Sequence, residues 1–216
     1  MVGFAQNFEE LPETLPVFPL PGALLLPHGR LSLNIFEPRY LNMIDDALRT
    51  DRLIGMIQPS DEGDPAPIYP VGCAGRIVQL AETDDRRYLI SLAGLYRFRI
   101  VQELDSSRGY RRVQADWAPF AKDLDEAEEA SVDRGRLMEL LQRYFEQQEL
   151  SVDWDALKQA DNETVLTVLA MNCPFAVPEK QALLEAGSAA ERAKVLMTLL
   201  EMAVAEGLAS GEGPSH

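Results

Sequence analysis

The sequence predicts an α+β chain: a small closed β barrel with one inserted helix, followed by a C-terminal helical bundle. Three observations support this class. Short apolar runs bounded by prolines and glycines follow the first thirteen residues, as is typical of strands. From Val71 to Trp117, apolar and polar residues alternate between turn signals, as in the strands of a small barrel. After Pro119 the apolar spacing becomes helical.

The predicted barrel elements can be identified in order along the chain. "LPVFPL", "ALLLP" and "RLSLNIF" are short strands, and "EPRYLNMIDDALRTD" is the single inserted helix, with Pro38 suited to its first turn. "LIGMIQ" predicts a buried strand and "PSDEGDPAP" an exposed loop. Further along, the period of two places Tyr96 and Phe98 on the inner face and Arg97 and Arg99 on the solvent face.

The predicted domains are a flexible lead-in at residues 1–13, the barrel at 14–120, the helical bundle at 121–207 and a flexible tail at 208–216. Within the bundle, Pro178 and Gly187 are typical of the beginning and end of a helix. Ser188 and Glu191 have the spacing of a capping box that begins the last helix.

Composition narrows the possible functions. The net charge is −15 and the pI about 4.5, which disfavours sequence-independent binding to nucleic acid or to an anionic membrane. Residues 1–120 hold 12 Arg against 16 acidic residues, whereas residues 121–216 hold 8 basic against 19 acidic residues, so the second half carries most of the negative charge. No Lys or Arg precedes Arg30 and no apolar run is long enough to span a bilayer, so a cytoplasmic protein without membrane contact is expected.

The residues that usually carry metal or nucleophilic chemistry are few. The only histidines are His28, in a Pro-His-Gly turn, and the terminal His216. Cys73 and Cys173 form no C-x-x-C pair and are expected to be small buried residues rather than reactive thiols. We therefore expect no metal, no cofactor and no catalytic residue.

Three stretches resemble the N-terminal substrate-recognition domain of the ATP-dependent protease Lon. They are "LPVFPLPGALLLPHGRLSLNIFEPRYLNMI", "VGCAGRIVQ" and "LAGLYRFRI", and "PEKQALLEAGSAAERAKVLMTLLEMAV" is similar to the stretch that ends this domain. The wording "IFEPRY" looks most like stand-alone bacterial LON-domain proteins. The resemblance implies a PUA-like β barrel followed by a helical bundle, and a role in binding unfolded or degron-like polypeptide. It also implies a possible partnership with a separate ATPase or protease.

The chain differs from a full Lon protease in its catalytic motifs. It contains no G-x-x-x-x-G-K-[ST] sequence to hold the phosphates of ATP, and it ends before a Ser–Lys peptidase could begin. We therefore expect that this polypeptide hydrolyses neither ATP nor peptides, and that it acts as a recognition module or adaptor.

The strand-to-helix corner is the candidate polypeptide-binding segment. It comprises Phe36, Glu37, Pro38, Arg39 and Tyr40, whose aromatic and charged side chains could line a groove for an extended peptide. The same residues also suit a purely structural role, because an acid favours the positive end of a helix and an arginine can pair with it locally.

An arginine-rich segment supports an alternative function. Between Arg86 and Arg112 there are seven arginines against two acidic residues, interleaved with aromatics. On a PUA-like barrel this face could bind RNA or a small ligand, with Arg97, Arg99, Arg111 and Arg112 as the candidate contacts. The competing interpretation is that these arginines pair with the acidic helical half, so nucleic acid is the less expected partner.

Overall fold

The computed structural model describes residues 11–63, 65–105, 108–124 and 132–211. Six strands occupy the first part of the chain: β1 Thr14–Pro19, β2 Arg30–Ile35, β3 Leu53–Ile57, β4 Val71–Glu82, β5 Tyr88–Leu104 and β6 Arg111–Asp116. The helices are α1 Pro38–Leu48, α2 Arg134–Gln147, α3 Trp154–Gln159, α4 Asn162–Asn172, α5 Val177–Glu185 and α6 Ala189–Gly211, and 3₁₀ turns span Ala118–Leu124. The α+β class is confirmed.

The six strands form one mixed sheet that closes on itself. Their order is β2-β5-β4-β3-β1-β6, and β5 pairs a second time, with β6. This double pairing is possible because β5 is 17 residues long: its first half pairs with β2 and its second half with β6. β1 and β3 run parallel, whereas the other pairs are antiparallel. The strand β2 lies at the open end of this order.

The interior of the closed sheet is aliphatic and aromatic. Phe98 is fully buried and lies 5.7 Å from the ring of Trp117, whose indole Nε1 donates to the carbonyl of Pro12 at 3.1 Å. Gly94 permits the closest approach of a loop to the sheet, because a Cβ there would lie 2.0 Å from the carbonyl oxygen of Leu26. The uncharged, proline-rich segment is therefore packed directly on β5.

The structure divides the chain at different points from those predicted. One compact unit contains Met1–Ala127 and Met171–Glu185, and the other contains Glu128–Ala170 and Ala186–His216. Helix α5, predicted to belong to the helical part, therefore belongs to the strand-bearing unit. A buried hydrogen bond joins α5 to strand β4: Gln181 donates from Nε2 to the carbonyl of Val71 at 3.0 Å.

The second unit consists of α2, α3, most of α4 and α6. Asp133 caps α2 by accepting from the backbone N–H of Arg136 at 3.0 Å. At the start of α6, Ser188 Oγ accepts from Glu191 N at 3.1 Å, and Glu191 in turn accepts from Gly187 N at 2.9 Å. The predicted capping residues therefore do cap this helix.

The predicted terminal segments fall mostly outside the described residues. This holds for most of the lead-in at 1–13 and for the end of the tail at 208–216, and the acidic stretch at 125–131 also lies outside. Helix α6 continues to Gly211, beyond the end predicted at residue 207. Within the part of the chain that the structure describes, no helix combines the length and the apolar character needed to cross a bilayer.

Candidate functional site

A cavity of about 640 Å³ opens on the strand-bearing unit. Its walls are rich in prolines and tyrosines, with a few charged residues among them. The prolines are Pro19, Pro21, Pro59, Pro65 and Pro178; the tyrosines are Tyr40, Tyr69 and Tyr110; the charged residues are Arg39, Arg111, Asp61 and Glu62. This volume falls within the range of about 300–1,000 Å³ that is usual for ligand sites.

Five separate stretches of the chain contribute to this cavity. They are the end of β1 with the turn after it, the first turn of α1, the loop after β3, the turn before β6 and the beginning of α5. Prolines occur in three of these stretches because each one ends or begins a regular element, where the missing N–H of proline is tolerated. Because proline has no backbone N–H, these parts of the cavity wall present no backbone hydrogen-bond donor to a ligand.

A buried polar cluster fixes one wall. The amide of Gln58, which is 1 % exposed, accepts from Gly22 N at 3.2 Å and donates to the carbonyl of Val177 at 3.3 Å. Lys180 Nζ donates to the carbonyl of Gly22 at 2.7 Å and to that of Met171 at 3.1 Å. Burial lowers the pKa of Lys180. Both polar groups of the Gly22 residue are thus held, and the turn beside the cavity is tied to the start of α5.

A hairpin-like loop forms the opposite lip. Ser60 N donates to the carbonyl of Pro67 at 2.9 Å, and Tyr69 N donates to the carbonyl of Gln58 at 3.0 Å. Arg111 also holds the loop, by donating to the carbonyl of Ala66 at 2.5 Å. The segment predicted as an exposed loop is therefore anchored at its base.

Two of the three tyrosine side chains, those of Tyr40 and Tyr110, contact neighbouring side chains. The ring of Tyr40 lies 4.2 Å from that of Phe18, and the guanidinium of Arg39 lies 4.7 Å from its centre. The hydroxyl of Tyr110 donates to Asp46 at 2.9 Å, and burial together with this hydrogen bond raises the pKa of Tyr110. These contacts fix the positions of the Tyr40 and Tyr110 rings in the cavity wall.

The cavity includes two of the five predicted binding residues. Arg39 and Tyr40 line it, whereas Phe36, Glu37 and Pro38 do not. Phe36 is 59 % exposed with Arg87 5.7 Å from its ring centre. Glu37 lies at the N-cap of α1 and pairs with Arg39, and Pro38 is the first residue of that helix, as the helix-start interpretation expected.

Residues 14–202 match the model of one family, described as the ATP-dependent protease La (LON) substrate-binding domain. The chain belongs to this family. The resemblance noted in the sequence is thereby confirmed, and the LON domain accounts for nearly all of the described residues.

Individual relatives agree with the family. The chain is 30% identical over 203 residues to Lon protease 2 of Myxococcus xanthus, covering 90% of this chain and 24% of the relative. It is 27% identical to the Lon protease of Anaeromyxobacter dehalogenans over 202 residues, with 90% and 24% covered. The chain thus spans about a quarter of the length of these curated relatives, at 24% of each.

Two solved structures share the fold. One is the crystal structure of a Lon N-terminal domain protein from Xanthomonas campestris, with a TM-score of 0.62, 25% identity, and 86% of this chain and 97% of that chain covered. The other is the N-terminal domain of a Mycobacterium avium complex Lon protease, with a TM-score of 0.56, 15% identity, and 87% and 98% covered.

The predicted arginine face is not a single solvent surface of this LON domain. Arg97 is 4 % exposed, and its guanidinium pairs with Asp123 at 2.6 Å. Its predicted position on the solvent face is therefore wrong, because the 3₁₀ turns and α5 cover that side of β5. Arg111 is bound by Glu103, and Arg112 is half-buried and donates to Thr14 at 3.1 Å. Of the four candidates, only Arg99 is exposed.

The side chains of His28, Cys73 and Cys173, which could act as nucleophiles or metal ligands, lie in a turn or in the protein interior. His28 adopts a left-handed turn with φ 62° and donates its backbone N–H to the carbonyl of Gly94 at 3.0 Å. Cys73 and Cys173 are both buried, and burial raises the pKa of the Cys173 thiol to about 11. These positions agree with the predicted roles of turn residue and buried filler.

Sequence reasoning missed most of the cavity. The lining residues that were not predicted as site residues include Tyr69 and Tyr110, the loop residues Asp61 and Glu62, and Val177 and Pro178 at the start of α5. One signal was available: prolines cluster where the cavity walls begin or end. Nothing in a single sequence showed that these distant prolines meet.

Proposed function

We propose that this LON domain is a non-catalytic recognition module that binds unfolded or degron-like polypeptide in the proline- and tyrosine-lined cavity. The family description, a substrate-binding domain, supports recognition as the role. The observation that carries the proposal is the cavity itself, about 640 Å³ in volume, which includes the predicted Arg39 and Tyr40.

The chemistry of the walls suits a polypeptide side chain. Tyrosines offer large, stiff, amphipathic surfaces and are enriched where proteins bind one another. The prolines between them add apolar contact without backbone donors that a ligand would have to satisfy. An aromatic or branched aliphatic side chain of an unfolded segment can therefore enter, while its main chain lies across the polar rim.

The rigidity of the walls favours affinity. Gln58 and Lys180 hold one wall through buried hydrogen bonds, and Arg111 braces the other. Because these side chains are ordered before the ligand arrives, less conformational entropy is lost on binding. Such a site can bind many segments of similar chemistry, as a recognition module requires.

Several finer features belong to the same proposal. The closed sheet is of the PUA-like type and the second unit is a helical bundle. The module acts in the cytoplasm and delivers its clients, as an adaptor in ATP-dependent proteolysis, to a separate ATPase or protease. The sequence similarity to relatives named Lon protease supports this part of the proposal.

The alternative, RNA or small-ligand binding on the Arg86–Arg112 face, has less support. Two of its four candidate contacts are occupied by carboxylates, Arg97 by Asp123 and Arg111 by Glu103. The net charge of −15 also opposes association with a polyanion.

Fluorescence anisotropy tests the proposal. The pure protein is titrated with a labelled unfolded polypeptide and, in parallel, with a labelled RNA oligomer at two salt concentrations. Tyr69→Ala removes aromatic surface from the cavity, and we expect affinity for the polypeptide to fall by about five- to thirtyfold. Phe36→Ala, a matched loss of aromatic surface outside the cavity, is expected to change it less than about twofold.

Three results would count against the proposal. Equal binding by the wild type and Tyr69→Ala would remove the cavity as the site. A large effect of Phe36→Ala alone would move binding to the open edge of β2, beside which Phe36 lies. RNA binding that disappears at the higher salt concentration, without polypeptide binding, would favour the arginine face.

A further inference from the structure

We propose that the cavity selects polypeptide segments in which a lysine or arginine lies close to the apolar or aromatic residue that enters it. This inference rests on the proposed function and adds the charge of the preferred client. It follows from which of the charged groups lining the cavity are already compensated.

Both arginines of the cavity are compensated by carboxylates outside its lining. Arg39 donates from Nε to Glu37 Oε2 at 2.9 Å, and its NH2 lies 2.9 Å from the same oxygen. Arg111 donates from Nε to Glu103 Oε2 at 2.9 Å and from NH2 to the other oxygen of that carboxylate. Neither Glu37 nor Glu103 lines the cavity.

The two acidic residues of the cavity are in the opposite situation. Asp61 and Glu62 lie on the lip and are exposed. The hydrogen bond recorded for this pair is local, from Glu62 N to Asp61 Oδ1 at 2.8 Å. Among the residues that the structure describes, neither carboxylate takes part in an ion pair.

The balance of charge at the cavity is therefore negative. Its lining holds two cations and two anions, which cancel in a formal count. Once each arginine is counted together with its own carboxylate, the two anions Asp61 and Glu62 remain, a net charge of −2. A cationic side chain of the ligand would meet these carboxylates, while an acidic one would be repelled.

The tyrosines and the whole chain act in the same direction. A cation next to an aromatic face is attracted by the ring, and three tyrosines line the cavity. The net charge of −15 also raises the local concentration of basic segments and slows the approach of acidic ones. Basic residues in the client should therefore improve both encounter and retention.

The test compares three labelled unstructured peptides that are identical except at two positions flanking a phenylalanine. These positions carry lysine, glutamine or glutamate. By anisotropy at low salt we expect affinity in the order lysine, glutamine, glutamate, with about threefold between neighbours, as for exposed charge pairs. In the double variant Asp61→Asn/Glu62→Gln, the lysine and glutamate peptides should differ by less than about twofold, because the local charges are gone.

A charge-matched control separates local from global effects. Glu82→Gln/Asp84→Asn removes two exposed carboxylates outside the cavity, one at the end of β4 and one in the turn that follows it. This variant should retain the full preference for the lysine peptide. If it loses as much preference as Asp61→Asn/Glu62→Gln, the selectivity comes from net charge and the inference is overturned.

The outcomes distinguish this inference from the proposed function. Equal binding of all three peptides, still weakened by Tyr69→Ala, would overturn the charge preference and leave the cavity as the polypeptide site. Binding of none of the peptides by the wild type would overturn both. A preference for the glutamate peptide would show that the arginines remain available and would also overturn the inference.

Discussion

The buried ion pair between Arg97 and Asp123 gives the most quantitative prediction for stability. The two side chains are 4% and 7% exposed. The guanidinium donates from Nε to Oδ2 at 2.9 Å and from NH2 to Oδ1 at 2.6 Å, while NH1 donates to the carbonyl of Leu184 at 3.0 Å. The backbone N–H of Arg97 also donates to Asp123 Oδ2 at 2.9 Å. Asp123 therefore accepts hydrogen bonds from three nitrogen atoms of Arg97: the backbone N, Nε and NH2.

Removing only the acid should be far worse than removing both charges. Asp123→Ala leaves a guanidinium buried without its counter-ion, which costs about 3–5 kcal/mol of unfolding free energy. That is a large part of the roughly 5–15 kcal/mol by which domains are usually stable. The double variant Arg97→Met/Asp123→Leu replaces the pair by apolar groups of similar size and should recover most of the loss.

Urea unfolding followed by tryptophan fluorescence measures this effect. The background variant Trp154→Phe leaves Trp117, in the core of the closed sheet, as the reporter of the strand-bearing unit. With a slope of about 2 kcal/mol/M, Asp123→Ala should lower the midpoint by about 1.5–2.5 M. Asp85→Ala, which breaks an exposed pair with Arg87, is the control and should leave it nearly unchanged.

Two results would refute the reasoning. If Asp123→Ala shifts the midpoint no more than Asp85→Ala, the pair is solvated and not buried. If the double variant is as unstable as the single one, the hydrogen bonds themselves, and not the uncompensated charge, account for the loss.

Three further predictions concern buried groups. An unfolded thiol has a pKa of about 8.5, so the stability that the protonated Cys173 thiol contributes is fully present below about pH 8.5 and is lost as the pH rises to about 11, the pKa of the folded state. The urea midpoint of Cys173→Ala should therefore fall less across this pH range than the midpoint of the wild type. Parallel curves for the two proteins would contradict this. Gln58→Leu leaves the Gly22 N–H without its acceptor and removes the donor to the Val177 carbonyl, and it should cost about 1–3 kcal/mol in the same assay, whereas a loss under about 0.5 kcal/mol would mean that water replaces the amide. Gly94→Ala forces a Cβ to 2.0 Å from the carbonyl oxygen of Leu26 and should lower the thermal midpoint more than any other single change here. The control Gly135→Ala, whose Cβ makes only ordinary contacts, should keep the midpoint within about 3 °C of the wild-type value. Equal midpoints for the two variants would contradict the close approach at Gly94.

The sequence allowed the fold class and most strands to be predicted because those depend on local patterns. Period two located Tyr96 and Phe98 correctly in the core. The same pattern wrongly predicted that Arg97 is exposed to solvent. Alternation shows that the two faces of a strand differ in polarity, but it does not show that the polar face is exposed. The outer face of β5 at this residue is covered by Asp123 and by the end of α5, which are 26 and 87 residues further along the chain.

The candidate site was predictable only where one short motif reached it. Arg39 and Tyr40 lie in the segment "IFEPRY" and were identified, but Tyr69, Tyr110 and Pro178 come from other stretches and meet them only in the folded chain. The charge balance of the cavity is even harder to predict from the sequence. It depends on which carboxylate pairs with which arginine, and Glu103 pairs with Arg111 through cross-strand geometry.

Photo-cross-linking of an unfolded peptide is the most direct test of the claim that the cavity binds polypeptide. A peptide carrying a benzophenone beside its phenylalanine is irradiated with the wild-type protein, and the attachment sites are located by mass spectrometry. We predict attachment to the lip at residues 59–63 and 65–66 or to Tyr69, with loss of the product when unlabelled peptide competes. Attachment confined to the surroundings of Arg99, or to helices α2 and α6 of the second unit, would contradict the proposed site.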